Sequence, residues 1–135
     1  ETVLPLAGLH LLLAEDNELN SEIATALLEE QGASITAVEN GRLALEAIQN
    51  AAPRTYDAIL MDVMMPEMNG LEATRCIRAF EGKGPGEGTP IIAMTANVFA
   101  DDVKACLDAG MNSHVGKPLD MKVLIGEILK YADAR

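Results

Sequence analysis

Short apolar runs alternate with longer stretches of helical periodicity along this chain. The clearest run is A-I-L-M at residues 58–61, which ends on a carboxylate, Asp62, and is followed by the turn formers Pro66, Asn69 and Gly70. An apolar run of this length between turn residues is typical of a strand buried on both faces. Further runs predict strands over residues 9–14, 34–38, 90–95 and 113–116.

Apolar residues spaced three or four apart predict a helix after each strand. The predicted helices cover residues 19–31, 41–50, 71–80, 99–109 and 121–131. Val103, Cys106 and Leu107 form the predicted inward face of the fourth helix, and Gly32 and Gly110 stand where C-terminal glycines are expected. Strands and helices that alternate five times indicate a parallel sheet covered on both faces. We therefore predict an α/β fold, a flavodoxin-like (βα)5 three-layer sandwich with parallel strand order 2-1-3-4-5.

Two stretches fall outside this alternation. Residues 1–8 contain Pro5 and Gly8 without periodicity, and we interpret them as a linker that leads into a single domain over residues 9–135. Residues 81–88 hold four glycines and a proline, which favours a mobile surface loop. A phosphate cradle is the alternative, but no strand precedes this stretch and no Gly-Lys-Ser/Thr motif ends it.

The charge of the chain narrows the set of partners. Ten Lys and Arg residues stand against 21 Asp and Glu residues, a net charge of −11 over 135 residues. Such an acidic surface repels phosphate backbones, so we expect no nucleic-acid binding by this domain alone. The chain has no basic amphipathic helix and no apolar run long enough to span a bilayer, so we expect no membrane contact by this domain.

The two cysteines, Cys76 and Cys106, lack the spacing of a metal or redox motif and lie in helical patterns. We interpret them as free, partly buried thiols of a cytoplasmic domain. The chain begins at Glu1 rather than Met, which we interpret as the start of a segment of a longer protein. Such a parent protein is free to carry a membrane anchor elsewhere.

Polar side chains stand just beyond four of the predicted strands. Glu15 and Asp16 follow the first strand, Asp62 the third, Thr95 the fourth and Lys117 the fifth. In the predicted order the first and third strands are neighbours, so the three carboxylates share one pocket. Their mutual repulsion requires a cation or retained protons. Carboxylate oxygens without nearby His or Cys favour Mg²⁺ or Mn²⁺ over zinc.

The same edge suits phosphoryl chemistry. A carboxylate such as Asp62 can attack phosphorus and form an aspartyl phosphate, and the transferred group needs its equatorial oxygens neutralised. A divalent metal would take one oxygen, the Lys117 ammonium a second, and the Thr95 hydroxyl with backbone N–H groups the third. Ala96 is small enough to leave an approach open, and Pro118 restricts the preceding peptide, which would help to aim Lys117.

This ordered set resembles the receiver domain of two-component signalling proteins, in which an acidic pair, a phosphoacceptor Asp, a Thr or Ser and a Lys-Pro follow strands one, three, four and five. The motif M-D-V-M-M-P-E-M-N-G around Asp62 fits that family, and E-D-N-E-L-N and M-T-A-N resemble receivers attached to hybrid histidine kinases. The resemblance implies that a phosphohistidine, on a histidine kinase or a histidine phosphotransfer domain, phosphorylates Asp62. It also implies that this chain is a phosphoacceptor that assists its own phosphorylation. The longer parent protein would then be a histidine kinase.

The resemblance also implies roles for individual residues. Asp16, Asp62 and the backbone carbonyl of Met64 would ligate Mg²⁺, with Glu15 acting mostly through a metal-bound water. After phosphorylation Thr95 would rotate towards the phosphoryl group. The fourth helix, fifth strand and fifth helix would form the regulatory surface, and homodimerisation through it is left open.

Two positions complicate this assignment. The residue three before the lysine, usually aromatic in the family, would follow Thr95 inward; here it is His114. It is compatible with a pH-sensitive switch and equally with a plain exposed strand residue. Met64, two after the proposed nucleophile, is compatible with gap-filling packing. Our hypothesis is that its apolar side chain cannot position an attacking water, so that the phosphoryl group is long-lived unless Asn97 does that work.

Three other functions compete with this interpretation. A flavodoxin-type carrier would need a hydroxyl- and glycine-rich loop after the first strand to hold the FMN phosphate, where this chain has Glu15, Asp16 and Glu18. A phosphatase that forms an aspartyl phosphate would place a second Asp where this chain has Met64. A pseudo-receiver would fold but remain unphosphorylated and act as a protein-interaction module; the intact set of functional residues disfavours it.

Overall fold

The computed structural model of the chain describes residues 4–84, 86–96 and 100–132. Its strands are β1 (His10–Ala14), β2 (Ser34–Val38), β3 (Ala58–Asp62), β4 (Ile91–Thr95) and β5 (Ser113–Gly116). Its helices are α1 (Glu18–Glu30), α2 (Gly41–Asn50), α3 (Gly70–Glu81), α4 (Ala100–Ala109) and α5 (Met121–Ala132). The strands pair in parallel in the order β2-β1-β3-β4-β5, which confirms the predicted flavodoxin-like fold. Within these residues, no helix combines the length and apolar character that crossing a bilayer requires.

The two faces of the sheet carry separate cores. Alternate residues of a strand point to opposite faces. Leu11 and Leu13 of β1 therefore pack with α1 and α5, whereas Leu12 and Ala14 pack with α2, α3 and α4. Both β3 and β4 are buried along their whole length. Burial on both faces explains why their sequences are continuous apolar runs without alternation.

Asparagine side chains determine where three of the helices begin. Asn17, Asn40 and Asn69 each accept a hydrogen bond, 2.8–2.9 Å long, from the backbone N–H three residues later. Caps of this kind satisfy a backbone donor that the first helical turn leaves without a partner. As a result α1 and α3 begin one residue earlier than predicted. The predicted start of the fourth helix, Phe99, lies outside the described residues.

The predicted inward face of α4 is wrong at one position. Cys106 is buried and Val103 is half-buried, but the side chain of Leu107 is 43% exposed. Ala109 is buried in its place. Successive helical residues are about 100° apart around the axis. Packing against α3 and β5 that buries Cys106 and Ala109 therefore turns Leu107 towards solvent.

Part of the stretch interpreted as a linker contributes to the core. Leu6 is fully buried and belongs to the cluster that β1, α1 and α5 form. Its backbone N–H donates to the carbonyl of Gln31 at the end of α1, over 2.9 Å. A single apolar residue without periodic neighbours carries no strand or helix signal, which is why the sequence pattern misses this contact.

A buried arginine joins the end of α3 to the segments that precede β4 and β5. The Arg78 guanidinium donates to the carbonyls of Thr89 and Gly110 and to the side chains of Glu81 and Asn112, over 2.8–3.0 Å. Burial lowers the pKa of Arg78, although the hydrogen bond and charge of Glu81 act in the opposite direction. These partners come from α3 and two later loops, so no local pattern predicts the cluster.

Candidate functional site

The carboxyl ends of four strands bring the predicted site residues to one edge of the sheet. Asp62 ends β3, Thr95 ends β4, Glu15 directly follows β1 and Lys117 directly follows β5. Because these strands are parallel members of one sheet, the ends meet at the crevice where α/β folds place their ligands. As the sequence predicted, the strand order brings Glu15, Asp62, Thr95 and Lys117 to the same edge of the sheet.

Three carboxylates form a compact cluster at this edge. Oxygen atoms of Glu15, Asp16 and Asp62 all lie within 4.8 Å of one another. Glu15 and Asp62 are only 5% and 6% exposed, whereas Asp16 is exposed and opens the cluster to solvent. Within the described parts of the chain, no other group of His, Cys, Asp and Glu side chains has this spacing.

The Lys117 ammonium bridges two of these carboxylates. Its Nζ lies 2.8 Å from Glu15 Oε1 and 3.0 Å from Asp62 Oδ2. Burial acts to lower the pKa of Lys117, but the hydrogen bonds and charges of Glu15 and Asp62 outweigh it, and the pKa of Lys117 is raised. The lysine is therefore a fixed positive charge at the cluster at neutral pH.

The backbone positions this lysine from two sides. The Lys117 N–H donates to the carbonyl of Thr95 over 2.9 Å, which continues the β4–β5 pairing past the end of β5. The Lys117–Pro118 peptide bond is cis. Lys117 is therefore anchored at its backbone while its side chain reaches across β4 to β3 and β1.

The loop after β3 presents Asp62 to the crevice. The Met64 N–H approaches Asp62 Oδ1 at 3.4 Å, and the Gly70 N–H donates to the carbonyl of Val63 over 2.9 Å. A Cβ atom on Gly70 would collide with the carbonyl oxygen of Asp62. Only a glycine lets the start of α3 fold back this closely, which is the structural reason for the N-G pair that follows Asp62 in sequence.

Thr95 and His114 share a face of the sheet. Thr95 is 7% exposed, and His114 is half-buried. In the β4–β5 ladder His114 pairs with Ala93, two residues before Thr95, so side-chain alternation points both towards the α2–α3–α4 layer. This placement is compatible with a concerted movement of the two side chains.

Met64 lies at the mouth of the crevice. Its side chain is 76% exposed, so it does not fill a gap in the core. Asn97, the other residue considered for positioning water, lies outside the described residues.

The carboxylate cluster fits a hard divalent cation. Mg²⁺ binds oxygen ligands at about 2.0–2.1 Å, so ligands on opposite sides of the ion are about 4 Å apart. The oxygens of Glu15, Asp16 and Asp62 meet that spacing, and Asp16 leaves a side open for water or a phosphate oxygen. The donor set contains no nitrogen or sulfur, which disfavours zinc.

A mostly apolar groove adjoins the cluster, and the sequence pattern did not predict it. The groove encloses about 520 Å³ between α1 and the segment that joins β5 to α5, with Glu15 and Lys117 at one end. Ile23 of α1 lines it and is 50% exposed, and Leu19 on the same helix is 63% exposed. Leu19 and Ile23 lie one helical turn apart, so they form a small exposed apolar patch beside the charged site. The sequence holds one signal for this groove: Ile23 is a large apolar residue next to, and not part of, the buried pair Ala24 and Leu28 of α1.

Comparison with known proteins points to one family. Residues 11–129 match the family model described as the response regulator receiver domain. The chain is 41% identical over 140 residues to probable histidine kinase 1 of Oryza sativa subsp. indica, an alignment that covers 83% of the chain and 14% of that protein. The chain therefore spans about one-seventh of the length of this curated relative.

Solved structures agree with this match. The receiver domain of the sensor histidine kinase PA1611 from Pseudomonas aeruginosa, with magnesium coordinated in its active-site cleft, is 38% identical, with a TM-score of 0.81 over 94% of this chain and 99% of that one. The receiver domain of the Saccharomyces cerevisiae response regulator Ssk1, solved with the histidine phosphotransfer protein Ypd1, is 26% identical, with a TM-score of 0.81. That match covers 93% of this chain and 89% of that one.

Proposed function

The chain belongs to the response regulator receiver family of two-component signalling, and on that premise we propose that Asp62 accepts a phosphoryl group from a phosphohistidine. The observation that carries the proposal is the convergence on Asp62 of two further carboxylates and one ammonium. A carboxylate in this setting has a site for a metal on one side and a positive charge for a phosphoryl oxygen on the other.

We propose Mg²⁺ as the cofactor, with Mn²⁺ as an ion of the same ligand preference. Asp16, Asp62 and the backbone carbonyl of Met64 would hold the ion, and Glu15 would act through a metal-bound water. When bound, the ion neutralises charge on the transferred phosphoryl group. The spacing of the carboxylate oxygens and their all-oxygen chemistry support this assignment.

The other steps of phosphoryl transfer are assigned to side chains and backbone groups of the chain. A carboxylate oxygen of Asp62 forms the new O–P bond as the P–N bond to the donor imidazole breaks, and the imidazole nitrogen then takes a proton from solvent. Lys117, freed from its contact with Asp62, pairs with a phosphoryl oxygen. The Thr95 hydroxyl donates to another, and the N–H of Met64, already directed at Asp62 Oδ1, supplies a further donor.

The proposed phosphodonor is a histidine kinase or a histidine phosphotransfer domain. The apolar groove beside Glu15 and Lys117 gives such a helical partner a surface on which to bury Leu19 and Ile23 next to Asp62. The receiver of Ssk1, a solved structure similar to this chain, is bound to a histidine phosphotransfer protein.

The output is proposed to run through the α4–β5–α5 surface. Thr95 ends β4, which neighbours β5, and His114 of β5 points to the same side of the sheet. Phosphorylation of Asp62 can therefore affect this surface through Thr95 and then His114. The parent protein is proposed to be a hybrid histidine kinase, in keeping with the plant relative. A pseudo-receiver is not favoured, because Glu15, Asp62, Thr95 and Lys117, which are proposed to act in phosphoryl transfer, lie at the same edge of the sheet.

The experiment is phosphorylation of the chain by acetyl phosphate, followed by intact mass. We expect the mass of one phosphoryl group to be added in Mg²⁺ and none to be added in EDTA. Asp62→Asn should remain folded and unmodified, whereas Asp108→Asn, an exposed carboxylate on α4, should be modified like the parent chain. Failure of the parent chain to gain mass in Mg²⁺ would favour the pseudo-receiver instead.

A further inference from the structure

A second cavity lies at the opposite edge of the sheet from the carboxylate cluster. It encloses about 770 Å³ below the amino ends of β3, β4 and β5, between the α2–β3 loop, the α3–β4 segment and the end of α5. This volume falls within the range of about 300–1,000 Å³ that is typical of small-molecule sites. Nothing in the phosphoryl chemistry proposed above uses this end of the molecule.

The aromatic side chains of the protein are concentrated in this cavity. The chain contains two Tyr, two Phe and no Trp. Tyr56, Phe80 and Tyr131 all line the cavity. Phe80 is 53% exposed, while Tyr56 is buried with its ring packed on His10 at a centroid distance of 4.8 Å. Aromatic faces of this kind, one fixed and one open, favour a flat partner that stacks against them.

Cations lie at the same cavity although the protein is strongly acidic. Arg54 and Lys83 line it, both are exposed, and neither forms an ion pair within the described residues. A third cation stands beside one of the lining rings, with Lys130 Nζ 5.3 Å from the centroid of Tyr131. Arg75 and Lys122 also lack an ion pair within the described residues, but neither lines this cavity. Two unpaired cations in one aromatic cavity, in a chain of net charge −11, favour an anionic ligand there.

The acidic residue of the lining does not cancel this preference. Glu81 is engaged through both oxygens: Oε1 accepts from Arg78, and Oε2 accepts from the N–H and hydroxyl of Thr89 at 3.1 and 2.6 Å. Glu87, nearby in the loop, accepts from the Gly84 N–H. Arg54 and Lys83 are therefore the charged groups of the lining that remain available to a ligand.

We propose that this cavity binds a small planar anion, an aromatic ring that carries a phosphate or a carboxylate group. The ring would stack among Phe80, Tyr56 and Tyr131, and the anionic group would face Arg54 and Lys83. A nucleoside monophosphate and an aromatic carboxylate share this chemistry. The site is independent of Asp62, because the two lie at opposite edges of the sheet.

Both tyrosines of the chain line the cavity, so ring-labelled tyrosine makes NMR a direct reporter of binding. The 135-residue chain is titrated in EDTA with AMP, with anthranilate, and with two incomplete probes, ribose 5-phosphate and adenosine. We expect at least one of the two aromatic anions to shift the signals of Tyr56 and Tyr131. The aromatic anion that binds more tightly shows whether the cavity prefers a phosphate or a carboxylate group. Compared with that anion, ribose 5-phosphate, which lacks the ring, and adenosine, which lacks the charge, should each bind at least about tenfold more weakly.

Matched variants separate this site from nonspecific binding. Arg54→Gln and Lys83→Gln should each weaken binding by about three- to tenfold. Lys104→Gln removes the same charge from the exposed face of α4 and should leave binding of the aromatic anion unchanged. Tyrosine signals that respond to neither aromatic anion would overturn the proposal. Ribose 5-phosphate that binds as well as the tighter of the two aromatic anions, or full affinity in the Arg54→Gln/Lys83→Gln double variant, would overturn it too. None of these outcomes bears on phosphorylation of Asp62.

Discussion

Lys117 Nζ lies 2.8 Å from Glu15 Oε1, although the two residues are 102 positions apart in the chain. The contact joins the loop after the last strand to the loop after the first, across the whole width of β3 and β4. It also places a positive charge among the carboxylates that are proposed to hold Mg²⁺. An ammonium and a metal ion at these carboxylates would compete for their negative charge, and each would weaken the binding of the other.

The first prediction concerns that competition. Lys117→Met removes the positive charge but keeps a long side chain, so we expect Mg²⁺ affinity to rise by about tenfold because the carboxylates no longer share their charge with an ammonium. Phosphorylation by acetyl phosphate should fall at the same time, since a phosphoryl oxygen loses its cation. Isothermal titration calorimetry measures the affinity, and Lys122→Met, an exposed lysine on α5, is the control. Unchanged or weaker Mg²⁺ binding would show that the two cations do not compete.

The second prediction concerns the lifetime of the phosphoryl group. Met64 is 76% exposed at the mouth of the site, and its side chain offers water no donor and only a weak acceptor, the thioether sulfur. Met64→Asn would supply an amide that can orient an attacking water, so dephosphorylation should accelerate by about tenfold. Loss of the phosphorylated mass over time measures the rate, with Met64→Leu as the apolar control. If Asn and Leu give the same rate as Met, another group positions the water.

The third prediction concerns the segment before β1. Leu6 is fully buried against β1, α1 and α5, so Leu6→Ala should lower the free energy of unfolding by about 2–5 kcal/mol. Leu4, two residues earlier, is 45% exposed, and Leu4→Ala should cost about 1 kcal/mol or less. Urea denaturation measures both. Equal, small effects would mean that the segment is the linker that its sequence suggests.

The fourth prediction concerns pH. Burial, with a smaller contribution from the charge of Asp102, raises the pKa of the Cys106 thiol above its ordinary value of 9.0. The folded state then keeps a proton that the unfolded chain loses, so this thiol makes the free energy of unfolding fall as pH rises above 9.0, until the folded pKa is passed. Cys106→Ala should remove that part of the fall.

Urea denaturation on either side of pH 9.0 tests this sign. As pH rises, the free energy of unfolding of the parent chain should fall relative to that of Cys106→Ala. If the free energy of unfolding of the parent chain instead rises relative to that of Cys106→Ala at high pH, the burial argument is wrong.

Local pattern and strand order explain what the sequence predicts well. The run that ends at Asp62 is apolar on both faces because β3 is central, and period and turn residues alone identify it. Once the order 2-1-3-4-5 is assumed, residues after β1, β3, β4 and β5 must meet, and Glu15, Asp62 and Lys117 do so. These predictions rest on backbone geometry, which a short stretch of sequence specifies.

Contacts between distant segments explain what the sequence misses. The buried partners of Arg78 lie up to 34 positions away, and its desolvation is compensated only once all of them are in place. The sequence pattern places Leu6 in a linker and Leu107 on an inward helix face, yet Leu6 is fully buried and Leu107 is exposed. The packing of the surrounding helices, which no local pattern contains, decides both outcomes. The groove lined by Ile23 likewise exists only after α1 and the β5–α5 segment are brought side by side.

The most direct test of the central claim is chemical mapping of the phosphorylated residue. The chain is phosphorylated in Mg²⁺ and reduced with borohydride, which converts an aspartyl phosphate to homoserine, and the digest is then read by mass spectrometry. We predict homoserine at position 62 alone, and none in a sample treated with EDTA. Homoserine at position 16, or label that persists in the Asp62→Asn variant, would contradict the assignment of Asp62 as the phosphoacceptor.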